Sequence, residues 1–536
     1  MNSKITFKKK SVFIITLLCS SINCFSQKVL WEKTIGGNNS EFLFDLKPTL
    51  DNGFLLAGTT QSNKSGDISK QRIGNYDAWL WKMKASGKKE WEMRIGGDGD
   101  NYLKSIDFTK EDGGYILGLT SSSTKDIFKE KDLIGKADAW IIKLDAARNV
   151  LWQTTLGGSE SEDLVKLLPL AGGDYIALIN SNSIEGGNKT EPYFGGQDIW
   201  VVRINSQGTI KWQRSFGGEY DDIASDIIST SDKGFLIGGY SNSGISGNKT
   251  SEAFGNNDYW VIKISSDGKE LWQKSYGAEG NDQLKQIQEV NKDSYRVYGI
   301  SDSNAGIAKN SSLESEIDYW ILELDTQGEV VQEISYGYGV KNYLSNAYIN
   351  EKGDMFLGGT TQEKTSQDTK VSYLGTLLDK EGYVIWEKSI SGRGENVLSK
   401  FIETRDGAYV FAGTSDSGKS REKSSHRGMN DFWFVKLKAK SSEDNTKDEK
   451  SEDVNDLEKP KLEAVPNPVV TYTNIIIPTE YNIGVLKLYD LSGRLLHQQV
   501  IKHQTEAINL GGFPKGAYII SIKTDTMEGS INILKK

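Results

Sequence analysis

The chain is poor in cysteine, histidine and proline, with two, three and eight of them in 536 residues, and each scarcity removes a class of chemistry or architecture. Both cysteines, Cys19 and Cys24, fall within residues 1–26, which read as an export signal cut after Ser26. Lys4, Lys8, Lys9 and Lys10 supply its positive region, and Val12 to Leu18 supply an apolar stretch too short to span a bilayer. A lipoprotein reading of either cysteine fails on the residues preceding it. The mature chain therefore has no thiol, which excludes disulfides, thiolate nucleophiles and cysteine metal sites together. An exported domain without disulfides must rest on a large apolar core.

Long apolar runs are missing too, so no transmembrane segment is expected. A basic excess is missing as well: net charge is −9, which gives no field to hold a phosphate backbone and excludes nucleic acid as a partner. Of the histidines, His497 and His503 fall near the C-terminus, and His426 stands alone in a polar connection. A Ser/His/Asp triad or a histidine metal site would have to be built around His426, which reads as a solvated loop residue. No catalytic, metal-binding or cofactor-binding residue is assigned, and no cofactor is expected.

Glycine and tryptophan are abundant, at 56 and 13 residues, and both are periodic. "DYWVIKISSDGKELWQKSYG" from Asp258 returns as "DIWVVRINSQGTIKWQRSFG" from Asp198, "DAWIIKLDAARNVLWQTTLG" from Asp138 and "DAWLWKMKASGKKEWEMRIG" from Asp77. Aligned on the turn, the second strand's column is Trp31, Trp91, Trp152, Trp212, Trp272, Gln332 and Trp386, at spacings of 60, 61, 60, 60, 60 and 54. The preceding strand carries Trp79, Trp140, Trp200, Trp260, Trp320, Leu374 and Trp433. Seven units follow. Two further strand candidates per unit, such as "IASDIIST" and "GFLIGGYS", bring each to four strands. Strands such as "WVIKI" are apolar on both faces, as they must be where one sheet packs between two others. Seven four-stranded sheets around an axis meet that demand, so an all-β, seven-bladed β-propeller is predicted over 27–438. The strand at Trp31 is the natural partner of "DFWFVKL", so the N-terminal strand closes the propeller.

The twelve tryptophans in the two columns read as core, each removing roughly 200 Å² from water. Trp81 lies outside both columns and is the first to test for a role in binding. Two polar columns also recur: Asp77, Asp138, Asp198, Asp258, Asp318 and Asp431 before the first tryptophan, and Glu41, Asn101, Glu162, Asp222, Asp282, Asn342 and Asn396 after the "GG" turn. They read as side chains bonding to turn amides rather than as a calcium ring, because no unit has the acidic density of a calcium loop. Unit six lacks both tryptophans and the aspartate, and its loop from Thr360 to Ser372 is shortened. The hairpin "LDKEGYVIW" is similar to the tryptophan-containing repeats of quinoprotein dehydrogenases, without their cofactor constellation.

Residues 439–461 form an acidic flexible linker: Ser441 to Lys459 hold eight acidic and three basic residues and almost nothing apolar. Residues 462–536 alternate apolar positions with Gly and Pro turns, as in a small antiparallel β-sandwich. Here Pro466, Asn467 and Pro468, then Leu488, Tyr489, Asp490, Gly493 and Arg494, then Gly516 and Tyr518, then Lys535 and Lys536 resemble the type A sorting domain of the type IX secretion system. The resemblance implies export across the inner membrane by the signal peptide and across the outer membrane by recognition of the tail. It makes the type IX machinery a partner and places the protein at the outer cell surface or in the medium. The repeats resemble the roughly 60-residue repeats of secreted bacterial β-propeller proteins carrying such tails.

The expected function is noncatalytic binding of a glycan or protein through the long polar connections that precede each Asp-x-Trp strand. The competing class is a polysaccharide-acting hydrolase using carboxylates on that face. A third, structural reading is an adhesion or coat component.

Overall fold

A computed structural model describes residues 28–438 and 461–536, apart from residues 127, 351, 365–368 and 421. The expected signal peptide, residues 1–26, and all but the last residue of the expected linker, residues 439–461, lie outside the described residues. Among the described residues there is no helix; the chain is all-β.

Between residues 29 and 437 the strands assemble into seven four-stranded antiparallel sheets. Sheets I to V take four consecutive strands each from residues 41–95, 101–156, 162–216, 222–276 and 282–336, and sheet VI takes 341–390. Sheet VII contains Asn396–Glu403, Tyr409–Ser415 and Asp431–Leu437, and its fourth strand is Val29–Ile35, paired from Val29↔Leu437 to Ile35↔Phe432. Sequence units and sheets are therefore out of phase by one strand. The lapses grouped above as unit six fall on two sheets: Gln332 on the last strand of sheet V, Leu374 on the third strand of sheet VI.

The second and third strands of each sheet are buried on both faces, as their unbroken apolar runs require. Apolar clusters join each sheet to the next. One contains Leu178 and Val201 of sheet III with Ile237 and Trp260 of sheet IV, and another contains Phe432 and Phe434 of sheet VII with Leu56 and Trp79 of sheet I. Polar links between neighbouring first strands follow the same order. Lys47 meets Asp107 at 3.4 Å, the Leu167 amide donates to Ser105, Lys166 meets Asp226 at 2.6 Å, and the Ile287 amide donates to Asp226. The Ala347 amide then donates to Gln286, the Phe401 amide to Asn346, and Lys400 returns to Asp45 at 3.5 Å.

The two tryptophan columns differ. Trp79, Trp140, Trp200, Trp260, Trp320 and Trp433 are at most 1 % exposed. Each indole N–H donates to the residue after the outer-column position, a tryptophan in every case but Gln332 before Glu333: Trp260 to Gln273 at 3.1 Å, Trp140 to Gln153 at 2.9 Å, and Trp433 to Glu32 of the N-terminal strand at 3.0 Å. The outer column is half-buried rather than core, because it sits on the last strand of each sheet, over the turn of the next. Trp212 covers Gly268, where a Cβ would stand 3.0 Å from its ring, and the positive φ of 82° also favours glycine. Trp31 covers Gly87 of sheet I in the same way. Trp81 is 1 % exposed and packs edge-on to Trp79, so it belongs to the core between sheets VII and I and not to a binding surface.

The shortened loop of unit six is replaced by strand: Met355–Lys364 and Thr369–Leu378 pair as far as Lys364↔Thr369. In the tail, a three-stranded sheet (Glu463–Val465, Tyr472–Ile476, Thr505–Asn509) and a four-stranded sheet (Gly484–Asp490, Leu495–Ile501, Gly516–Thr524, Glu528–Lys535) share one apolar core around Leu486, Leu488, Ile508 and Ile520.

Candidate functional site

Strand order brings the scattered tail motifs together. Asp490 ends one strand and lies opposite Tyr518, and Gly516 lies opposite Lys535 in the neighbouring pair. Asn467 clamps the last strand: its Nδ2 donates to the Asn532 carbonyl at 2.9 Å, and its Oδ1 accepts from the Leu534 amide at 2.9 Å. Between the prolines and that strand, Val469 and Lys535 form a parallel bridge, and the Lys536 amide donates to the Val469 carbonyl. Pro466 offers its carbonyl to Thr473, and both Val465–Pro466 and Asn467–Pro468 are cis.

Leu488 is buried, whereas the half-buried Asp490 and the exposed Gly493 and Arg494 make a tight turn. Asp490 Oδ1 accepts from the amides of Ser492 and Arg494, its Oδ2 meets Arg494 Nε at 3.0 Å, and Gly493 takes a φ of 81°. The Ser492 and Arg494 contacts hold the Asp490 carboxyl below the usual carboxylate range. Tyr518 is buried as a ring and donates its hydroxyl to the Pro514 carbonyl at 2.6 Å. Asn467, Asp490, Gly516, Tyr518 and Lys535 thus converge on one end of the four-stranded sheet. Val469, absent from the sequence reading, joins the first and last motifs; its apolar side chain carried no signal.

The tail also touches the repeat region. Asn474 Nδ2 donates to the Gly113 carbonyl at 2.8 Å, Thr505 Oγ1 to Asp51 at 2.8 Å, and His503 Nδ1 lies 3.7 Å from Glu90. His503 therefore sits in a domain contact. His426 is partly exposed with Nδ1 3.6 Å from Asp431, and the exposed His497 lies beside Gln499 at 3.1 Å.

In the repeat region, sheets I to V carry long connections between their second and third strands, at residues 61–76, 122–137, 182–197, 242–257 and 302–317, and sheet VII carries 416–430. They lie over the turn entering their own sheet, as where the Asn248 amide donates to the Gly217 carbonyl, and their ends reach the turn entering the next, as where the Asn256 amide donates to the Gly280 carbonyl. The aspartate column fixes their ends. Asp138 accepts from the amides of Ile134 and Gly135, Asp258 from Phe254 and Gly255, and Asp431 from Arg427 and Gly428. In the second column Glu162 accepts from Gly158 and Ser181, and Asp222 from Gly218 and Ser243. Most of these oxygens bond turn amides and hydroxyls, while one oxygen each of Asp198, Asp222, Asp258 and Asp282 has no hydrogen-bond partner; among the described residues no group of three or more His, Cys, Asp or Glu side chains could hold a metal ion. Burial, reinforced by the neighbouring Asp222, pushes the Asp198 carboxyl up to about 7; burial with Asp282 pushes Asp258 up to about 6.

Beneath the connections runs a column that sequence reasoning missed. Lys129, Lys189, Lys249, Lys309 and Lys423 are at most 2 % exposed, and burial lowers the pKa of each. Their ammonium groups cap loop carbonyls: Lys129 that of Ser123, Lys309 that of Ser311, Lys423 that of Ser417. In sheet I the position is the apolar Ile68, and Arg94 from a neighbouring strand takes over, donating to the Ser62 carbonyl and pairing with Asp77 at 2.6 Å. The signal was available, since the first four lysines recur at intervals of 60.

Residues 464–536 match the family described as the secretion system C-terminal sorting domain. The regulatory protein FlaEY of Caulobacter vibrioides is 24% identical over 256 residues, 45% of this chain, and the chain spans about a quarter (26%) of that protein's length. Among solved structures, a variant of the Synechocystis apocarotenoid oxygenase overlaps 72% of this chain and 88% of its own at 9% identity and a TM-score of 0.37. A member of the duf4221 family from Bacteroides vulgatus overlaps 62% and 92% at 11% identity and a TM-score of 0.33. Neither likeness carries a function to this chain. No helix of the described residues is long and apolar enough to cross a membrane. The tail implies export and a secreted or cell-surface location: residues 464–536 are a C-terminal sorting domain, and the chain bearing them is cargo of the type IX secretion system.

Proposed function

We propose that residues 28–438 are a seven-bladed β-propeller closed by the strand Val29–Ile35, exported through the signal peptide and the sorting tail to bind a glycan or protein without chemical turnover. The polar links that pass from first strand to first strand and return from Lys400 to Asp45 support the closed ring. The binding reading rests on one observation: the long connections share one end of the sheets and expose large apolar side chains, among them Phe128, Ile184, Ile245, Met429 and Ile307, the last 88 % exposed. Loops held on a rigid scaffold are the usual place for recognition, and exposed apolar groups are what such a surface buries on binding. The carboxylates of the two polar columns are sealed from solvent, which leaves them unable to protonate or attack a glycosidic bond. Within the tail, the end where Asn467, Asp490, Gly516 and Lys535 converge is the surface the secretion machinery reads.

The test presents the mature chain with a panel of polysaccharides and scores binding and released reducing ends in parallel. Saturable binding without release, lost in an Ile245→Asp/Ile307→Asp variant, is the expected outcome. Release of reducing ends that a single Asp or Glu substitution abolishes would replace this reading with the hydrolase.

A further inference from the structure

A cavity of about 330 Å³ is lined by the first strands of all seven sheets. Its shape follows from a bulge repeated in every one of them, at Phe44, Lys104, Val165, Ser225, Lys285, Ser345 and Ser399. A bulge re-aims side chains and is over-represented beside binding sites. The bulge residue is Phe in sheet I, Lys in sheets II and V, Val in sheet III and Ser in sheets IV, VI and VII, so the wall of the cavity is chemically uneven although the sheets repeat.

The charges do not balance. Lys47, Lys104, Lys166, Lys285 and Lys400 line the cavity against Asp45, Asp107 and Asp226. Lys47 is shared between Asp45 and Asp107, Lys166 is held by Asp226, Lys400 reaches Asp45, and Lys104 turns to Asp163 at 2.9 Å. Lys285 has no carboxylate within 4 Å among the described residues; its Nζ finds Gln283 at 3.4 Å and lies 5.4 Å from the centre of the Tyr240 ring. Burial lowers the Lys285 pKa with no carboxylate to oppose it. Lys285 is half-buried; an ammonium partly withdrawn from water without an anionic partner is disfavoured, and here it faces a polar space at the low end of the size range of small-molecule sites.

We propose that this cavity binds a small oxyanion-bearing molecule, a carboxylate or sulfate on a sugar-sized polar frame, with Lys285 as the ammonium that meets the anion. The site is independent of what the loop face holds. It is tested by titrating the mature chain calorimetrically with sodium glucuronate and with glucose 6-sulfate, the two arms separating carboxylate from sulfate, with glucose as the neutral control. Saturable heat from at least one anion and none from glucose is expected. Lys285→Ser, which installs the residue standing at 225, 345 and 399, should weaken binding tenfold or more without lowering the melting temperature of the ligand-free chain, and Lys285→Arg should retain binding. The proposal fails if neither anion binds, if glucose binds as well as they do, if the serine variant binds as tightly as the wild type, or if the arginine variant loses binding.

Discussion

Asp198 and Asp222 flank the turn at Gly217 and Gly218, both shut away from water, and each leaves one carboxylate oxygen unbonded. The folded chain keeps a proton on Asp198 up to about pH 7, whereas the unfolded chain releases it near the ordinary carboxylate value of 3.8. The native state therefore binds more protons in that window, so stability falls as pH rises through it and levels off above. Three sheets place Asn101, Asn342 and Asn396 in this column: Asn101 and Asn342 donate to the carbonyls that end the preceding connections, Tyr76 and Ile317, and Asn396 donates to the Val371 carbonyl within a strand of sheet VI. Asp222→Asn should accordingly raise stability at pH 8 by about 1 kcal/mol and flatten its decline between pH 5 and 8, read from denaturant midpoints at each pH. A variant less stable than wild type at pH 8 would show that the like charges are not in conflict. The column itself was legible from its spacing. The protonation was not, because it depends on how deeply the turns are sealed.

At the scale of strands and sheets, the sequence disclosed the hairpins, the turn glycines and the repeat, because alternation and recurrence are local signals. It did not separate the two tryptophan columns. Trp260 lies on a third strand, enclosed between two sheets, and Trp272 on a fourth, at the margin; that difference exists only once strand order is known. Trp81 misled for the same reason: it breaks the repeat in sequence yet fills an ordinary core position opposite Leu56. Trp260→Ala should cost about 3–5 kcal/mol. Trp272→Ala should cost clearly less, because its ring is half-exposed and its indole bond to the Thr326 carbonyl stands at the edge. Chemical denaturation of both variants decides; equal losses would mean that the outer indoles are as enclosed as the inner ones. The buried lysines escaped notice because a lysine in "GNKT" looks solvated until the neighbouring turn closes over it.

For the whole molecule, the central claim is that recurring indoles and polar links join the sheets into a ring that the N-terminal strand completes. Glu32 serves Trp433 as Gln273 serves Trp260, and Trp31 covers Gly87 as Trp212 covers Gly268, so the first residues do for the last sheet what each hairpin does for its own. The tail is fastened to this body by a few polar contacts at Asp51, Glu90 and Gly113, which suits a domain whose work is export. A first unit that begins on its tryptophan strand and a last unit that stops after "DFWFVKL" already pointed to the proposed closure in the sequence, whereas the lysine imbalance of the cavity could be seen only with the first strands of all seven sheets in place. Hydrogen exchange of the intact mature chain, followed peptide by peptide, tests the closure most directly. The amides of Val29–Ile35 should exchange as slowly as those of Asp431–Leu437 and Asp258–Ile264; exchange of the N-terminal strand at the rate of an unstructured chain, with the other two protected, would contradict it.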